Sequence, residues 1–331
     1  MRYRYLDDAK GFAIVLMLFT HTMGGENLIK TWVSSFHMPI FFVVCGVIMA
    51  GKYAGCVTAE QIVSVTKRRL VQIGIPYLVF GTVLACFYSL LNVIAGQPIT
   101  FLPKMKSLLT LQGIDSLWFL PCYVLAEIFV LVMRLSKTRR VRLVLLPVVI
   151  VVICLLAYHM PTSGWQRMLV KTAIGWIFVE TGAFLARYLN EKKIPVEGVI
   201  PLLALGAVLS AYNGFAAIGS LQLRNPVLFF LNAVLTSTAV LVLCRRMENK
   251  QGKVPALLER FGRNTIVVVC TNNLLIEIIR LLDYKLTGNI LLNTGYTGCV
   301  SFTAILLALE YVLIRMAQGK LGVLFGKCNM V

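Results

Sequence analysis

Long apolar runs alternate with short polar stretches along the whole chain. A helix needs about 20 apolar residues to cross the hydrocarbon core of a bilayer. Lipid offers no partner to an unpaired backbone group, and the runs lack the alternation of barrel strands, so each run is predicted to be a helix. Ten runs are separable, at residues 11–25, 37–51, 70–95, 117–134, 143–159, 168–187, 197–214, 226–244, 264–283 and 298–316.

The composition agrees with this pattern. Hydrophobic residues make up 58% of the 331 residues and charged residues only 14%, and the mean hydropathy is +0.81. A soluble domain of this length is about one-quarter charged. The sequence therefore predicts an all-α, polytopic integral membrane protein, with about ten transmembrane helices in one domain that spans residues 1–331.

The distribution of positive charge predicts the orientation. A net charge of +18 is also typical of nucleic-acid binding, but the basic residues lie in clusters between the apolar runs. If successive loops lie alternately inside and outside, 24 of the 32 Lys and Arg residues fall on the side of both termini and 8 on the other. Positive loops stay in the cytoplasm, so both termini are predicted to be cytoplasmic and no nucleic-acid partner is expected.

The cysteines give no sign of a metal site. The chain has nine of them, and no two are spaced as C-x-x-C, the spacing of zinc sites and redox pairs. Most lie inside apolar runs, where cysteine packs as a small hydrophobe. We expect no bound metal.

The first run carries the most informative polar residues. Lys10 and His21 are eleven residues apart, so a helix separates them by roughly 17 Å and returns to within about 20° of the same face. Asp7 lies three residues before Lys10, close to the same stripe. A basic entrance that leads to an imidazole suits an anionic ligand that delivers a group to a general base. In the alternative, Lys10 is a topology anchor and His21 a structural hydrogen bonder.

Other ionisable residues lie at membrane depth, where they usually face a partner or a wet cavity. His37 either lines an acceptor site or is held by a backbone carbonyl at the interface. Asn273, Glu277 and Arg280 share one helix face, and a structural Glu277–Arg280 pair is favoured over catalysis.

Three further acidic residues occupy predicted spans. Glu127 and Glu180 have no partner in their own helices, so each requires a basic residue or hydroxyl on a neighbour. Glu310 lies in the last run. Trp118 and Phe119 are typical of the aromatic belt at the outer boundary of a membrane.

Several motifs then make the chain resemble a known family. The first comprises Asp7, Lys10, Gly11 and His21, and the second is Phe36-His37-Met38-Pro39-Ile40-Phe41-Phe42 followed by Cys45-Gly46. They are followed by a basic stretch before Pro76-Tyr77, by Leu117-Trp118-Phe119-Leu120 and by Phe261-Gly262-Arg263-Asn264-Thr265. In order and spacing these motifs resemble the membrane-bound acyltransferase 3 family, the bacterial O-acyltransferases of cell-wall and surface polysaccharides.

The resemblance implies a set of roles. The donor is an acyl-CoA, in the first place acetyl-CoA, and it reaches the site from the cytoplasm. The acceptor hydroxyl is reached from the outer side, and His21 is the catalytic residue. Lys10 would hold the donor phosphates with help from Arg69 and Arg68, while the residues assigned to the acceptor are His37, Trp118, Glu127 and Asn273.

The chain departs from the family pattern at four places. Lys10 replaces an Arg, which keeps the charge and loses the planar fork. Cys45 stands where Ser is frequent, and Gln72 where a second basic residue is frequent. Cys270-Thr271-Asn272-Asn273 stands where many members carry a late His, and Asn273 would then act as a neutral hydrogen bonder.

These observations predict an O-acetyltransferase of the bacterial cytoplasmic membrane. It would transfer an acetyl group from acetyl-CoA to a hydroxyl of a surface polysaccharide or of its lipid-linked precursor, and its other contact is membrane lipid. Two alternatives stay open, a small-molecule transporter of the same fold and an inactive relative that acts as an assembly partner.

Overall fold

The computed structural model describes residues 3–53, 57–135, 164–191, 195–290, 292 and 294–327. Within them the chain is helical, and we number the α-helices in chain order. The helices are α1 Arg4–Thr22, α2 Leu28–Phe36, α3 Pro39–Lys52, α4 Ala59–Arg69, α5 Ile75–Ile94, α6 Phe101–Leu109, α7 Phe119–Met133, α8 Trp165–Glu191, α9 Val199–Asn213, α10 Pro226–Met247, α11 Lys253–Arg263, α12 Thr265–Thr287 and α13 Gly295–Met316.

The helices follow the predicted runs. Nine of the ten runs coincide with a helix, and the run at 143–159 lies outside the described residues. Among the described residues, seven segments are long and apolar enough to cross a membrane; two of them join α2 with α3 and α4 with α5. The chain is therefore a polytopic helical membrane protein. The number ten and the side on which the termini lie remain predictions.

Two predicted spans within the described residues are not among the seven, for different reasons. Helix α1 has 19 residues, but its first two turns carry Asp7, Asp8 and Lys10. Helix α9 is apolar but has only 15 residues. A charged helix can remain at membrane depth only where other protein surrounds it, and this is where α1 lies.

Helix α1 runs through the centre of the bundle. It contacts α2, α3, α10, α11, α12 and α13. Ala9, Ala13, Ile14 and Leu18 are fully buried on it. We refer below to the Lys10 end and the His21 end of the bundle, after the two residues near the ends of α1.

Two glycine pairs allow helices to cross with their backbones in contact. A Cβ on Gly46 of α3 would overlap the Val179 carbonyl of α8, and a Cβ on Gly182 would overlap the Val43 carbonyl of α3. Small residues at such crossings are the usual means of packing helices in lipid, where no hydrophobic force drives them together.

The second pair joins α1 to α11. A Cβ on Gly11 would overlap the Leu258 carbonyl, and a Cβ on Gly262 would overlap the Asp7 carbonyl. Two motifs that are 250 residues apart in sequence therefore meet at one crossing. Each motif has a glycine at this crossing because any larger residue would collide with the backbone of the other helix.

We expect Gly46→Ala to destabilise the protein, because the added methyl group has no space between two backbones. Overpacking of this kind costs about 1–3 kcal/mol. Gly51→Ala on the same helix is the matched control, since a Cβ at Gly51 meets nothing within 4 Å. Thermal unfolding in detergent should give a lower Tm for Gly46→Ala alone. Equal Tm values for the two variants would contradict this packing.

Candidate functional site

A cavity of about 430 Å³ lies at the His21 end, within the size range of pockets that enclose small molecules. Residues from α1, α2, α12 and the loops around Ser116 and Ile218 form it. They are Met17, Thr20, His21, Met23, Lys30, Ser34, His37, Met38, Asp115, Ser116, Trp118, Phe215, Ala217, Ile218, Gly219, Val269, Asn273, Ile276, Glu277 and Arg280. The polar members make it suited to a ligand with several hydroxyl groups.

Both histidines of the first two motifs line this cavity. His21 is half-buried in the last turn of α1. His37 is buried directly after α2, and its Nδ1 lies 2.8 Å from the Val33 carbonyl oxygen. Since a carbonyl only accepts, Nδ1 donates, and neutral His37 keeps an unprotonated Nε2. A backbone carbonyl therefore fixes the His37 ring, which also lines the cavity; its role toward an acceptor stays a prediction.

Hydrogen bonds connect α12 to the turn before α7. Asn273 Nδ2 donates to Ser116 Oγ over 2.6 Å. Ser116 Oγ donates to Asn272 Oδ1 over 3.1 Å. The Asn272 side chain is completely buried, and its Nδ2 donates to the Val268 and Val269 carbonyls of its own helix over 2.8 and 3.0 Å. Asn273, the residue named from the sequence, lines the cavity together with His21.

The turn that carries Ser116 and Trp118 has a constrained backbone. Leu111 and Asp115 have φ values of 62° and 48°, in the left-handed region that side chains seldom adopt, and Gly113 has 72°. A Cβ on Gly113 would overlap the Trp118 backbone. Such conformations cost of order 1–3 kcal/mol each and tend to gather at functional sites. Here they aim Asp115, Ser116 and Trp118 at the cavity.

The loop between α9 and α10 closes another side. Ala217 and Gln222 form an antiparallel bridge, and Asn213 fixes the base of the loop by donating to the Leu223 carbonyl over 3.0 Å. Gly219 lies beside the Trp118 indole, where a Cβ would come within 3.1 Å of Nε1. Behind the indole, Lys171 Nζ lies 4.5 Å from the ring centroid. Trp118 is thus a fixed wall of the cavity.

Four charged residues line the cavity, and three have a polar side-chain partner. Arg280 Nη1 lies 2.9 Å from Glu277 Oε1, the pair predicted from sequence. Tyr88 donates to Asp115 Oδ2 over 2.6 Å. Lys30 donates to the Met23 carbonyl over 3.0 Å. The cavity therefore has a balanced set of donors and acceptors and no strong net charge.

Lys10 lies at the other end of α1 and does not line this cavity. Its Nζ is 2.7 Å from Asp7 Oδ1, and Arg263 Nε of α11 is 3.7 Å from Asp7 Oδ2. Arg263 also binds Glu259 over 2.5 Å, and its side chain is 48% exposed. The crossing at Gly11 and Gly262 thus brings two cations together around one carboxylate.

Buried Glu127 and half-buried Arg69 form an ion pair on the same half of the bundle. Arg69 Nε and Nη2 donate to the two Glu127 carboxylate oxygens over 2.6 and 2.8 Å, the bidentate geometry that arginine favours. The prediction that Glu127 needs a basic partner on a neighbouring helix is confirmed. Neither residue lines the His21 cavity, and Arg68 is half-buried next to Arg69 without lining it.

The two remaining acidic residues differ in their surroundings. Glu310 is fully buried, and Thr271 Oγ1 lies 3.0 and 2.8 Å from its two carboxyl oxygens. Glu180 Oε1 is buried without a hydrogen-bond partner. The expectation of a partner for Glu180 is thus not met at this oxygen.

The structure divides the predicted site residues into two groups. His21, His37, Trp118, Asn273, Glu277 and Arg280 meet around one cavity, whereas Asp7, Lys10, Arg68, Arg69 and Glu127 do not line it. The sequence reasoning missed Lys30, Asp115, Ser116 and Asn272. Asp115 and Ser116 directly precede the Leu117-Trp118 motif, which was the available signal. Among the described residues, no three His, Cys, Asp or Glu side chains are grouped as metal ligands.

Comparison with known proteins gives one match. A family model described as an acyltransferase domain matches residues 3–313 of the chain. No curated protein matches it.

We expect Glu127→Gln to destabilise the fold, because it leaves the half-buried Arg69 guanidinium without its counter-charge. Breaking a fully buried ion pair costs about 3–5 kcal/mol, which is the upper bound for this pair. Arg68→Gln is the control at the adjacent position, and the double variant Arg69→Met/Glu127→Leu should recover much of the loss. The measurement is Tm in detergent. Equal Tm values for the Glu127→Gln and Arg68→Gln proteins would contradict the expectation.

Proposed function

The chain belongs to the acyltransferase 3 family, and from this premise we propose that it transfers an acetyl group from acetyl-CoA to a hydroxyl of a surface polysaccharide or of its lipid-linked precursor. The observation that carries the proposal is the position of His21. Its imidazole lines a cavity that combines apolar and polar side chains, at the end of the bundle opposite Lys10. A general base and a site for a polyhydroxylated acceptor are thereby in one place.

In the proposed reaction an unprotonated His21 nitrogen takes the proton of the acceptor hydroxyl. The hydroxyl oxygen forms a bond to the thioester carbonyl carbon, and the carbon–sulfur bond breaks. The CoA thiolate leaves and takes the proton from the imidazolium, so that the products are an ester and a thiol. If His21 instead relays the acyl group, the same bonds change in two steps, with an acyl-imidazole between them.

The acceptor would lie against Trp118, with Asn273 and His37 in reach of its hydroxyls. An indole face packs against the apolar face of a sugar ring, and neutral donors and acceptors bind hydroxyls without the cost of burying a charge. The partly exposed Glu277–Arg280 pair adds one acceptor and one donor to the same wall. In this role the pair is both a structural lock and part of the acceptor site.

The donor would be held at the Lys10 end. Lys10 offers a compact charge for its phosphates, and Arg263 offers the planar fork that lysine lacks. Arg68 and Arg69 lie in the same half, although the Arg69 guanidinium is already bound to Glu127. With both termini in the cytoplasm of a bacterial cell, as the distribution of charge favours, this end faces acetyl-CoA and the cavity faces the cell envelope.

We expect His21→Ala to lower acetyl transfer by at least about 100-fold, since a positioned general base contributes 10²–10⁴-fold. Thiol release from acetyl-CoA by purified protein in nanodiscs, with a polysaccharide acceptor, measures it. Membrane insertion and Tm should not change. Retained activity in this variant would remove His21 from the mechanism. Substrate flux in liposomes without any CoA would instead support a transporter, and failure of the protein to bind any acyl-CoA would support an inactive assembly partner.

We expect acetyl-CoA to act only from the side of the termini. In sealed vesicles with the termini outward, Lys10→Gln should raise KM for external acetyl-CoA about tenfold or more, because a charge-assisted contact contributes about 1.5–3 kcal/mol. Lys104→Gln is the control, since Lys104 Nζ lies over the Tyr88 ring near the His21 end. An unchanged KM, or equal activity in vesicles of the opposite orientation, would contradict the donor site.

A further inference from the structure

We propose that Lys171 is the positioning residue of the acceptor wall, and that its ammonium group holds the Trp118 indole in the orientation that receives the acceptor. The inference rests on the proposed function for its meaning. Its evidence is the surroundings of one buried lysine in α8, which belongs to none of the sequence motifs.

Lys171 is buried in a helix that is long and apolar enough to cross a membrane. Only 7% of the residue is exposed, so its side chain does not extend to water as lysines near the ends of spans commonly do. A cation at such a place usually faces a partner or a wet cavity, because its burial is costly. Lys171 does not line the His21 cavity, so the burial requires a partner.

That partner is the Trp118 ring. Lys171 Nζ lies over the indole, 4.5 Å from the ring centroid, inside the range of about 6 Å for a cation–π interaction. Among the described residues, no carboxylate or carbonyl oxygen binds this ammonium group. The interaction is stronger where water is excluded than at an exposed site, and the burial of Lys171 provides that condition.

The Trp118 side chain has few other restraints. It is half-buried and lines the cavity. Within the described part of the chain its indole N–H has no hydrogen-bond partner. The Phe119 ring meets it edge to face at a centroid distance of 6.1 Å, which is an apolar contact. The cation is therefore the polar contact that can fix the orientation of the ring.

The same helix also holds the loop beside the indole. Arg167 lies one turn before Lys171 and thus on the same face of α8, and its Nη2 donates to the Ser220 carbonyl over 3.0 Å. The preceding residue, Gly219, is so close to the ring that a Cβ there would come within 3.1 Å of Trp118 Nε1. Two cations on one helix face thus hold the ring and the loop that packs against it.

Stability alone does not account for a lysine at this position. Methionine would occupy a similar volume without the cost of burying a charge that has no counter-charge. Residues that break a local rule of this kind are expected at functional sites. The position of Lys171 behind the cavity wall agrees with that expectation.

The orientation of the ring can be measured without any assay of activity. The chain has four tryptophans, and ¹⁹F NMR of protein labelled with 5-fluorotryptophan, in nanodiscs, reports on each of them. The signal that is lost in Trp118→Phe belongs to Trp118. It should be single and narrow in the native protein and in Lys171→Arg, since a guanidinium also stacks on an aromatic ring. In Lys171→Met it should be displaced and broadened.

Lys106→Met is the matched control, because Lys106 is an exposed lysine of α6 and its replacement should leave the Trp118 signal unchanged. The Tm of Lys171→Met should equal or exceed that of the native protein, since an uncompensated buried charge is replaced by an apolar side chain of similar length. Lys171→Gln serves if Lys171→Met does not fold.

Activity provides the second measurement. Lys171→Met should raise KM for the acceptor by about 3- to 30-fold, the size of a partly to fully desolvated cation–π interaction. The value of kcat and KM for acetyl-CoA should stay within about twofold, because His21 and the donor end are untouched. Lys171→Arg and Lys106→Met should keep KM for the acceptor close to the native value.

A native Trp118 signal or an unchanged KM for the acceptor in Lys171→Met would overturn the proposal. An equal rise of this KM in Lys171→Arg and Lys171→Met would also overturn it, since size rather than charge would then decide. A displaced Trp118 signal in Lys171→Met, in a protein whose native form shows no acetyl transfer, would support the contact and refute the proposed function.

Discussion

The enclosure of α1 is the constraint on which the rest of the structure depends. This helix carries Asp7, Asp8, Lys10 and His21, and such groups are costly in contact with lipid. Six other helices surround it, and the glycine crossing with α11 brings one of them to backbone contact. The surrounding helices thus give the polar residues of α1 a protein environment in place of lipid.

The same enclosure separates two chemical environments. At the Lys10 end, cations from α1 and α11 share the carboxylate of Asp7, and charge dominates. At the His21 end, two imidazoles, an amide and several hydroxyl groups line a cavity together with two cations and two carboxylates. Between them Ala13 and Ile14 are fully buried. The structure therefore places the two regions at opposite ends of one helix.

Much of this arrangement is local and was predictable. Apolar runs give the helices, because backbone groups in lipid need partners within the helix. The spacing of Lys10 and His21 follows from helix geometry. The Glu277–Arg280 pair lies within one turn. His21, His37, Trp118 and Asn273 were found through motifs and do meet around one cavity.

What could not be predicted depends on contacts between distant segments. The partner of Glu127 is Arg69, 58 residues away, and Ser116 reaches Asn272 across 156 residues. The periodicity of apolar residues within one helix does not predict contacts between distant helices. It also cannot separate Asn272 from Asn273, since adjacent residues differ by about 100° around the helix and only the packing decides that Asn273 lines the cavity.

Helix α1 is continuous from Arg4 to Thr22 and has no proline within it. Its length is therefore set by covalent geometry and hydrogen bonds. The distance along the helix between Lys10 and His21 is fixed at roughly 17 Å. Under the proposed mechanism, a donor anchored by its phosphates at Lys10 must span this distance to bring its acyl group to His21. A carrier with a shorter arm would leave its acyl group short of the imidazole, whatever its affinity for the cations.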